Sequence, residues 1–136
     1  MFRSLVFLTS LFMGLATNTV TVSDCGVHPA LKITALSFSP LVPVAGQNGT
    51  LSTSYEVPYE ITQGLAKYTC TLNGFPVLSD TYDLCTQTAC PITIGHHDDK
   101  SESAIPDVKG TIVCKIKWTT VAEEELMCIQ TKFLLV

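Results

Sequence analysis

The stretch "TLSTSYEV", Thr50 to Val57, decides the fold class because its side chains alternate with a period of two. Leu51, Thr53, Tyr55 and Val57 fall on one side, and smaller or charged residues fall between them. This pattern is typical of a β-strand that buries one face and exposes the other. The stretch therefore predicts an antiparallel strand.

The same alternation recurs along the chain, as in Tyr68, Cys70 and Leu72; in Ile112, Cys114, Ile116 and Trp118; and in Met127, Ile129, Thr131, Phe133 and Leu135. Turn signals separate these runs, at Ser39-Pro40, Gly46 to Gly49, Gln63-Gly64, Asn73-Gly74 and the polar residues after Gly95. Six to eight short strands at this spacing predict an all-β sandwich or barrel.

The N-terminus, "MFRSLVFLTSLFMGLA" (residues 1–16), combines one early basic residue, an apolar run and small residues at its end. The run is shorter than the roughly 20 residues that a membrane-spanning helix requires. It predicts a secretory signal peptide, followed by a single domain of residues 17–136. In a secreted chain the sequon Asn48-Gly49-Thr50 predicts glycosylation of Asn48.

The charge balance and the missing motifs exclude several classes of function. Eight basic and twelve acidic residues give a formal net charge of −4, which does not suit a nucleic-acid partner. The sequence contains no nucleophile elbow, no Cys-x-x-Cys motif and no phosphate-binding glycine loop, so neither catalysis nor a cofactor is expected. The run His96 to Asp99 contains metal-ligand residue types, but it is interpreted as a polar turn without a metal.

Six cysteines lie in the predicted domain, at positions 25, 70, 85, 90, 114 and 128. An even count in a secreted chain predicts three disulfides, although the count alone leaves the pairing open. The short spacing of Cys85 and Cys90 is compatible with a metal clamp, a redox pair or a structural clip.

Several motifs follow one another in a characteristic order: "DCG" at 24–26, "SFSPLVPVAGQNGT" at 37–50, "NGFPV" at 73–77, "YDLCTQTACPI" at 82–92, Trp118, and "EELMCI" at 124–129. In this order the chain resembles the ML (MD-2-related lipid-recognition) superfamily, which includes Niemann-Pick type C sterol carriers and phosphatidylglycerol/phosphatidylinositol transfer proteins. The resemblance implies an immunoglobulin-like β-sandwich of two antiparallel sheets with a lipid cavity between them.

The resemblance also implies that Cys25 pairs with Cys128 and that Cys85 and Cys90 form a structural clip. Cys70 and Cys114 are left as the third pair. If their strands lay in opposite sheets, this third bond would cross the core and narrow the cavity.

The resemblance assigns a lipid-binding role to inward side chains that would otherwise be ordinary core: Phe38, Tyr55, Val57, Tyr68, Leu72, Ile92, Ile94, Ile112, Ile116, Trp118, Ile129 and Phe133. It places the cavity mouth between the segments 74–77 and 104–108. Phe75 and Ile105 are the expected gate residues, and Lys100 or Lys109 is available for an anionic headgroup.

The function implied is that of a lipid-binding and transfer protein that holds a phospholipid or sterol. The expected location is outside the cell or in the lumen of an endosome, lysosome or vacuole. Transient membrane contact is expected, and a membrane receptor or transporter is left open as a further partner. The alternatives are an extracellular recognition module or receptor cofactor without transfer activity, and a filled sandwich with a structural or adhesive role, for which the extra Cys70 and Cys114 pair is the best argument.

Overall fold

The computed structural model describes residues 19–136, so the predicted signal peptide of residues 1–16 lies outside the described residues. Within this range the elements are β1 (Thr21–Asp24), β2 (Lys32–Ser39), β3 (Asn48–Val57), β4 (Leu65–Leu72), β5 (Phe75–Asp83), α1 (Leu84–Gln87), β6 (Gly95–Ala104), β7 (Gly110–Thr119) and β8 (Glu125–Leu135). The predicted all-β class is confirmed.

The strands form two antiparallel sheets, one of five strands in the order β1-β8-β7-β4-β5 and one of three strands in the order β2-β3-β6. Strand β1 contacts β2, which closes one side of the sandwich. Strands β5 and β6 are the edge strands on the other side. The two sheets enclose the core, as in other aligned β-sandwiches.

Strand β3 shows directly how the sequence produces this arrangement. Leu51, Thr53, Tyr55 and Val57 are all buried, and the residues between them are partly exposed. In the other sheet, Cys70 pairs with Cys114 across β4 and β7. Residues directly opposite in an antiparallel pair share a face, so the predicted inward runs of β4 and β7 both face the core.

One end of the sandwich is filled by side chains from connecting segments. Leu31, Ile61, Leu84 and Ile92 all lie outside the strands and are all buried between the sheets. We call this the closed end, and it also contains Val57, Trp118 and Leu126. The opposite end, which contains Leu72, Gly110 and Leu135, is called the open end.

Two short segments differ from the sequence interpretation. Ile92 and Ile94 were expected to face inward from a strand, but in the segment Pro91–Ile94 only Ile92 forms a β-bridge, through paired backbone hydrogen bonds with Ile61. The run His96 to Asp99 was expected to be a turn, but it belongs to β6. Strand β6 is polar on both faces, so apolar periodicity could not detect it.

The three disulfides join the pairs expected from the sequence. Cys25–Cys128 ties the end of β1 to β8, and Cys85–Cys90 closes the segment between β5 and β6. The third bond, between Cys70 and Cys114, joins neighbouring strands of the same sheet. The bond therefore does not cross the core, and it does not narrow the space between the sheets in the way that strands in opposite sheets would require.

Helix α1 is one turn long, and no helix in residues 19–136 has the length and apolar character needed to cross a membrane. The side chain of Asp83 accepts a hydrogen bond from the backbone N–H of Cys85 and thereby caps the helix. Leu84, the first helical residue, is fully buried at the closed end.

Candidate functional site: a cavity between the sheets

A cavity of about 820 Å³ separates the two sheets towards the open end. This volume lies in the range of roughly 300–1,000 Å³ that is usual for small-molecule sites. The lining is mostly apolar and comprises Phe38, Leu51, Tyr68, Cys70, Leu72, Val77, Leu78, Asp80, Tyr82, Gln87, Ser101, Ser103, Ala104, Ile105, Pro106, Val108, Ile112, Cys114, Lys115, Ile116, Ile129, Thr131 and Phe133. A lining of this kind suits an apolar ligand.

The five-stranded sheet forms the larger wall of this cavity. The Cys70–Cys114 disulfide lies in that wall, flanked along β4 by Tyr68 and Leu72. The bond fixes the spacing of two central strands and leaves the space between the sheets free. It therefore provides no argument for a filled core.

Phe38 forms part of the opposite wall and is positioned by a glycine. A Cβ atom on Gly49 would lie only 2.3 Å from Cζ of Phe38, so the absent side chain leaves room for the ring. The Phe38 ring also stacks on Phe133 of the other sheet, with centroids 6.4 Å apart. This aromatic pair joins the two walls next to the apolar cluster of Val20, Ile105, Ile112 and Leu135.

A smaller chamber of about 160 Å³ shares four apolar residues with the cavity, namely Leu51, Tyr68, Ile116 and Ile129. It also touches Trp118 and Met127, which pack at the closed end. Its polar boundary includes Asp99, which accepts a 2.7 Å hydrogen bond from the Tyr55 hydroxyl. Burial first, and the bond to Asp99 second, raise the pKa of Tyr55, so the phenol stays protonated.

Trp118 packs edge-on against Tyr55, with ring centroids 5.8 Å apart. Its indole Nε1 is buried and has no hydrogen-bond partner among residues 19–136. Because Trp118 belongs to the packed core and also lines the small chamber, it lies at the boundary between the two.

The side of the cavity between β5 and β6 is polar. The lining residues there are Asp80, Tyr82 and Gln87 on one side and Ser101 and Ser103 on the other. The Tyr68 hydroxyl donates a 3.0 Å hydrogen bond to Oε1 of Gln87, and the Tyr68 and Tyr82 rings meet edge to face at 5.7 Å. Burial raises the pKa of Tyr68, with a smaller contribution from Tyr82.

Eight of the proposed lipid-binding residues line the large cavity: Phe38, Tyr68, Leu72, Ile105, Ile112, Ile116, Ile129 and Phe133. Tyr55, Val57 and Ile92 lie instead in the packed core, and Trp118 reaches only the small chamber. These four residues face inward, but at the closed end connecting segments fill the gap between the sheets.

Ile94 does not face inward, since its side chain is 69% exposed. The expectation is wrong because Pro91–Ile94 is not a strand. Alternation along the sequence therefore does not predict which of its side chains face inward.

The two expected gate residues occupy different environments. Ile105 is only 4% exposed, and its backbone is bonded to Gly46 and Gln47 of the neighbouring loop. It is therefore part of the cavity wall. Phe75 is 73% exposed and does not line the cavity. It pairs with Leu72, which puts it on the cavity face of the sheet beyond the lining residues.

The sequence interpretation missed Leu51 and the side chains of β5. Leu51 belongs to the alternating run of β3, so the period of two was enough to identify it as an inward-facing residue. On β5, Val77, Leu78 and Tyr82 line the cavity, but an irregularity between Cys70 and Thr71 in the β4–β5 pairing breaks the period. Only the pairing itself reveals which of these side chains face inward.

The predicted glycosylation site, Asn48, lies on β3, and the run of metal-ligand residue types from His96 to Asp99 lies on β6. Asn48 is exposed, and its amide nitrogen donates a 2.8 Å hydrogen bond to Glu102. His96 binds Glu56 and Asp98 on the outer face of the three-stranded sheet, each at 2.9 Å. No group of three or more His, Cys, Asp or Glu side chains in the described part of the chain is arranged to hold a metal ion.

A family model described as the ML domain matches residues 19–135. The chain belongs to the ML-domain family. The match covers every strand, both sheets and the whole cavity described above. The resemblance drawn from the sequence motifs is therefore confirmed.

The relatives of this ML domain include two proteins of Dictyostelium discoideum named as phosphatidylglycerol/phosphatidylinositol transfer proteins. Protein 3 is 36% identical over 83 residues, which is 59% of this chain and 55% of the relative, so the match spans little more than half its length. Protein 2 is 26% identical over 113 residues, which is 79% of this chain and 80% of the relative.

Among solved structures, a Niemann-Pick type C2 protein from the Japanese carpenter ant superimposes with a TM-score of 0.67 at 13% identity, covering 85% of this ML domain chain and 99% of the other. Chicken MD-1, solved with lipid IVa, gives a TM-score of 0.56 at 15% identity, covering 85% and 97%. At these identities the two structures show that the fold is shared.

Proposed function

We propose that this ML domain is a lipid-binding and transfer protein, which holds the tail of a phospholipid or sterol between its sheets and carries it between membranes. The observation that carries the proposal is the cavity of about 820 Å³ with its mostly apolar lining. The names of the Dictyostelium relatives support lipid transfer as the activity. The predicted signal peptide favours secretion or the lumen of an endosome, lysosome or vacuole.

The physical basis is the transfer of methylene groups from water to the apolar lining. Each buried methylene contributes about 0.8 kcal/mol, so one long acyl chain supplies roughly 10 kcal/mol before the cost of ordering it. Side chains such as Leu72, Ile112 and Ile116 offer no hydrogen bonds and accept any chain of suitable volume. The tail thus provides affinity, and selection among lipids is left to the polar side of the cavity between β5 and β6, which we call the polar edge.

Native mass spectrometry of the protein secreted from eukaryotic cells tests lipid binding directly. A lipid released on mild activation, in a ratio close to one per protein, is the expected result. A bare mass that stays unchanged after incubation with phospholipid and sterol vesicles would contradict the proposal.

Val77→Asp tests whether the cavity supports transfer. Val77 lines the cavity yet is 61% exposed, so the new carboxylate stays hydrated in the empty protein but opposes entry of an apolar tail. We expect transfer of a fluorescent phospholipid between vesicles to fall at least about tenfold, a loss of roughly 1.4 kcal/mol or more.

Val121→Asp is the matched control for Val77→Asp. Val121 is 56% exposed in the turn between β7 and β8, at the closed end and away from the cavity. It should transfer lipid like the wild type. Equal transfer by both variants would show that the cavity does not carry the lipid.

A second candidate function is lipid recognition without transfer, in which the loaded protein presents its ligand to a receptor. The structure of chicken MD-1 with lipid IVa supports lipid binding by a protein of this fold, which this alternative requires as much as transfer does. One-to-one lipid binding together with no exchange between vesicles would select recognition over transfer.

A further inference from the structure

We infer that the polar edge of the cavity is a binding site for a phosphocholine headgroup, formed by Tyr68, Asp80 and Tyr82 with Ser101 and Ser103 opposite. The inference rests on the proposed function and names the class of lipid that the cavity selects. It departs from the expectation of an anionic headgroup held by lysine.

The charges around the cavity favour a cation at this edge. In the described part of the chain, two charged residues line the large cavity, namely Asp80 and Lys115. Lys115 lies between the inward residues Cys114 and Ile116, so strand alternation puts its side chain on the outer face of the sheet. Asp80 is paired with inward-facing Tyr68, so its carboxylate is the charge presented to the ligand.

The lysines expected to meet an anionic headgroup are poorly placed for it. Lys100 borders the small chamber but does not line the large cavity. It pairs with Ser52, and because its neighbours Asp99 and Ser101 face inward, strand alternation places its side chain on the outer face. Lys109 precedes β7 and does not line the cavity. An anion at the polar edge would therefore meet Asp80 without a lysine beside it.

Two tyrosines add an aromatic surface next to this carboxylate. Tyr82 lies two residues from Asp80 on the same face of β5, and its hydroxyl is 3.4 Å from Oδ2 of Asp80. Its ring meets that of Tyr68 at 5.7 Å and remains partly exposed. A carboxylate beside aromatic faces is the combination that binds a quaternary ammonium group, through charge attraction and cation–π contact.

The opposite side of the gap suits the rest of the headgroup. Ser101 and Ser103 of β6 carry hydroxyl groups that can donate hydrogen bonds to phosphate or ester oxygens. A zwitterionic headgroup would thus satisfy both sides of the gap, with its trimethylammonium group at Asp80 and its phosphate at the serines. Its acyl chains would extend into the apolar lining.

Competitive extraction of two lipids tests the inference. The protein is incubated with vesicles that contain equimolar dioleoyl phosphatidylcholine and dioleoyl phosphatidylglycerol, then separated from them, and the bound lipids are quantified by mass spectrometry. Because both lipids have the same acyl chains and lie in the same membrane, the extracted ratio reports the headgroup alone. We expect phosphatidylcholine to exceed phosphatidylglycerol by about fivefold.

Asp80→Asn and Tyr82→Leu should each lower this ratio at least about threefold, since one removes the charge and the other removes the aromatic face. Asp107→Asn is the matched control, because it removes a charge from a residue outside the lining, and it should keep the wild-type ratio. The ratio is measured within each sample, so partial loss of folded protein does not alter it.

Three outcomes would overturn the inference. A wild-type ratio at or below one would exclude the choline preference, and an unchanged ratio in both Asp80→Asn and Tyr82→Leu would exclude these residues. Extraction of neither lipid would instead reject the proposed lipid-binding function itself.

Discussion

The two ends of the sandwich are built from the same strands, yet one is filled by side chains and the other contains the large cavity beside a smaller apolar cluster. At the closed end, Leu31, Ile61, Leu84 and Ile92 enter from connecting segments and fill the space between the sheets. At the open end, β4 and β5 are joined by the tight turn Asn73-Gly74, which brings no side chain into the gap. The comparison teaches that strands define the two walls, whereas the loops decide where the space between them is filled.

The largest effect is expected from two leucine-to-alanine substitutions, one at each end, which test the difference in packing between the two ends. Leu84→Ala removes a fully buried side chain at the closed end, and we expect a loss of about 2–5 kcal/mol in the free energy of unfolding. Leu72→Ala removes a partly exposed side chain that already borders empty space, so the expected loss is about 1 kcal/mol or less. Urea unfolding followed by circular dichroism measures both.

The leucine pair also separates stability from function. Leu84→Ala should bind lipid normally at temperatures where it remains folded, whereas Leu72→Ala should alter binding. Equal losses of stability at the two sites would mean that the open end is as tightly packed as the closed end.

An intermediate effect is expected from Gly49→Ala, which adds a methyl group to the wall of the cavity that the three-stranded sheet forms. The added methyl group would overlap the Phe38 ring and push it towards the cavity. We expect overpacking to lower the free energy of unfolding by about 1–3 kcal/mol, and lipid binding to weaken because the displaced ring occupies part of the cavity. Binding is measured by lipid extraction from vesicles, quantified as bound lipid per protein.

Gly74→Ala controls for the general effect of adding a methyl group to a glycine at this end. No atom lies within 4 Å of the added Cβ there, although the positive φ of 86° makes the substitution strained. It should reduce stability but leave the lipid bound per folded protein unchanged. Unchanged lipid binding by Gly49→Ala would show that Phe38 has room to move aside.

The smallest effect is expected on the outer face of the three-stranded sheet, where His96 is exposed. Hydrogen bonds to Glu56 and then Asp98 raise the pKa of His96 above its usual 6.5. Hydrogen bonds from Ser54 and then His96 lower the pKa of Asp98 below its usual 3.8. Both shifts arise in the folded protein and therefore make its stability depend on pH.

The raised His96 pKa gives a contribution that is complete below pH 6.5 and is lost as the pH rises through the folded-state value. The lowered Asp98 pKa gives a contribution that is present above pH 3.8 and is lost as the pH falls through its folded-state value. We expect His96→Asn to lower the urea midpoint slightly at pH 5 and less at pH 8.5. An equal change at both values of pH would contradict the ion pairing.

The disulfide bonds at the two ends also differ in what they connect. Cys25–Cys128 lies near the closed end and links segments far apart in the chain, whereas Cys70–Cys114 joins neighbouring strands beside the cavity. In the loop-entropy description the longer link restricts the unfolded chain by about 4–5 kcal/mol. The bond in the cavity wall holds two strands in place without occupying the space that the ligand needs.

The sequence by itself determined the sandwich class and most of its inward faces. A period of two forces alternate side chains to opposite faces of a sheet, so Leu51 to Val57 and Ile112 to Trp118 could be oriented without any tertiary information. The motif order also sufficed to identify the family. These features are local, or depend on fixed spacings along the chain.

Only the tertiary structure decided which inward residues border empty space. Tyr55 and Val57 show the same alternation as Tyr68 and Ile116, but the first pair belongs to the core that is filled by side chains from distant connecting segments. The structure also revealed the polar edge, because β6 lacks apolar periodicity and an irregularity interrupts that of β5. Alternation specifies the direction of a side chain, whereas the separation of two sheets depends on contacts between residues far apart in the sequence.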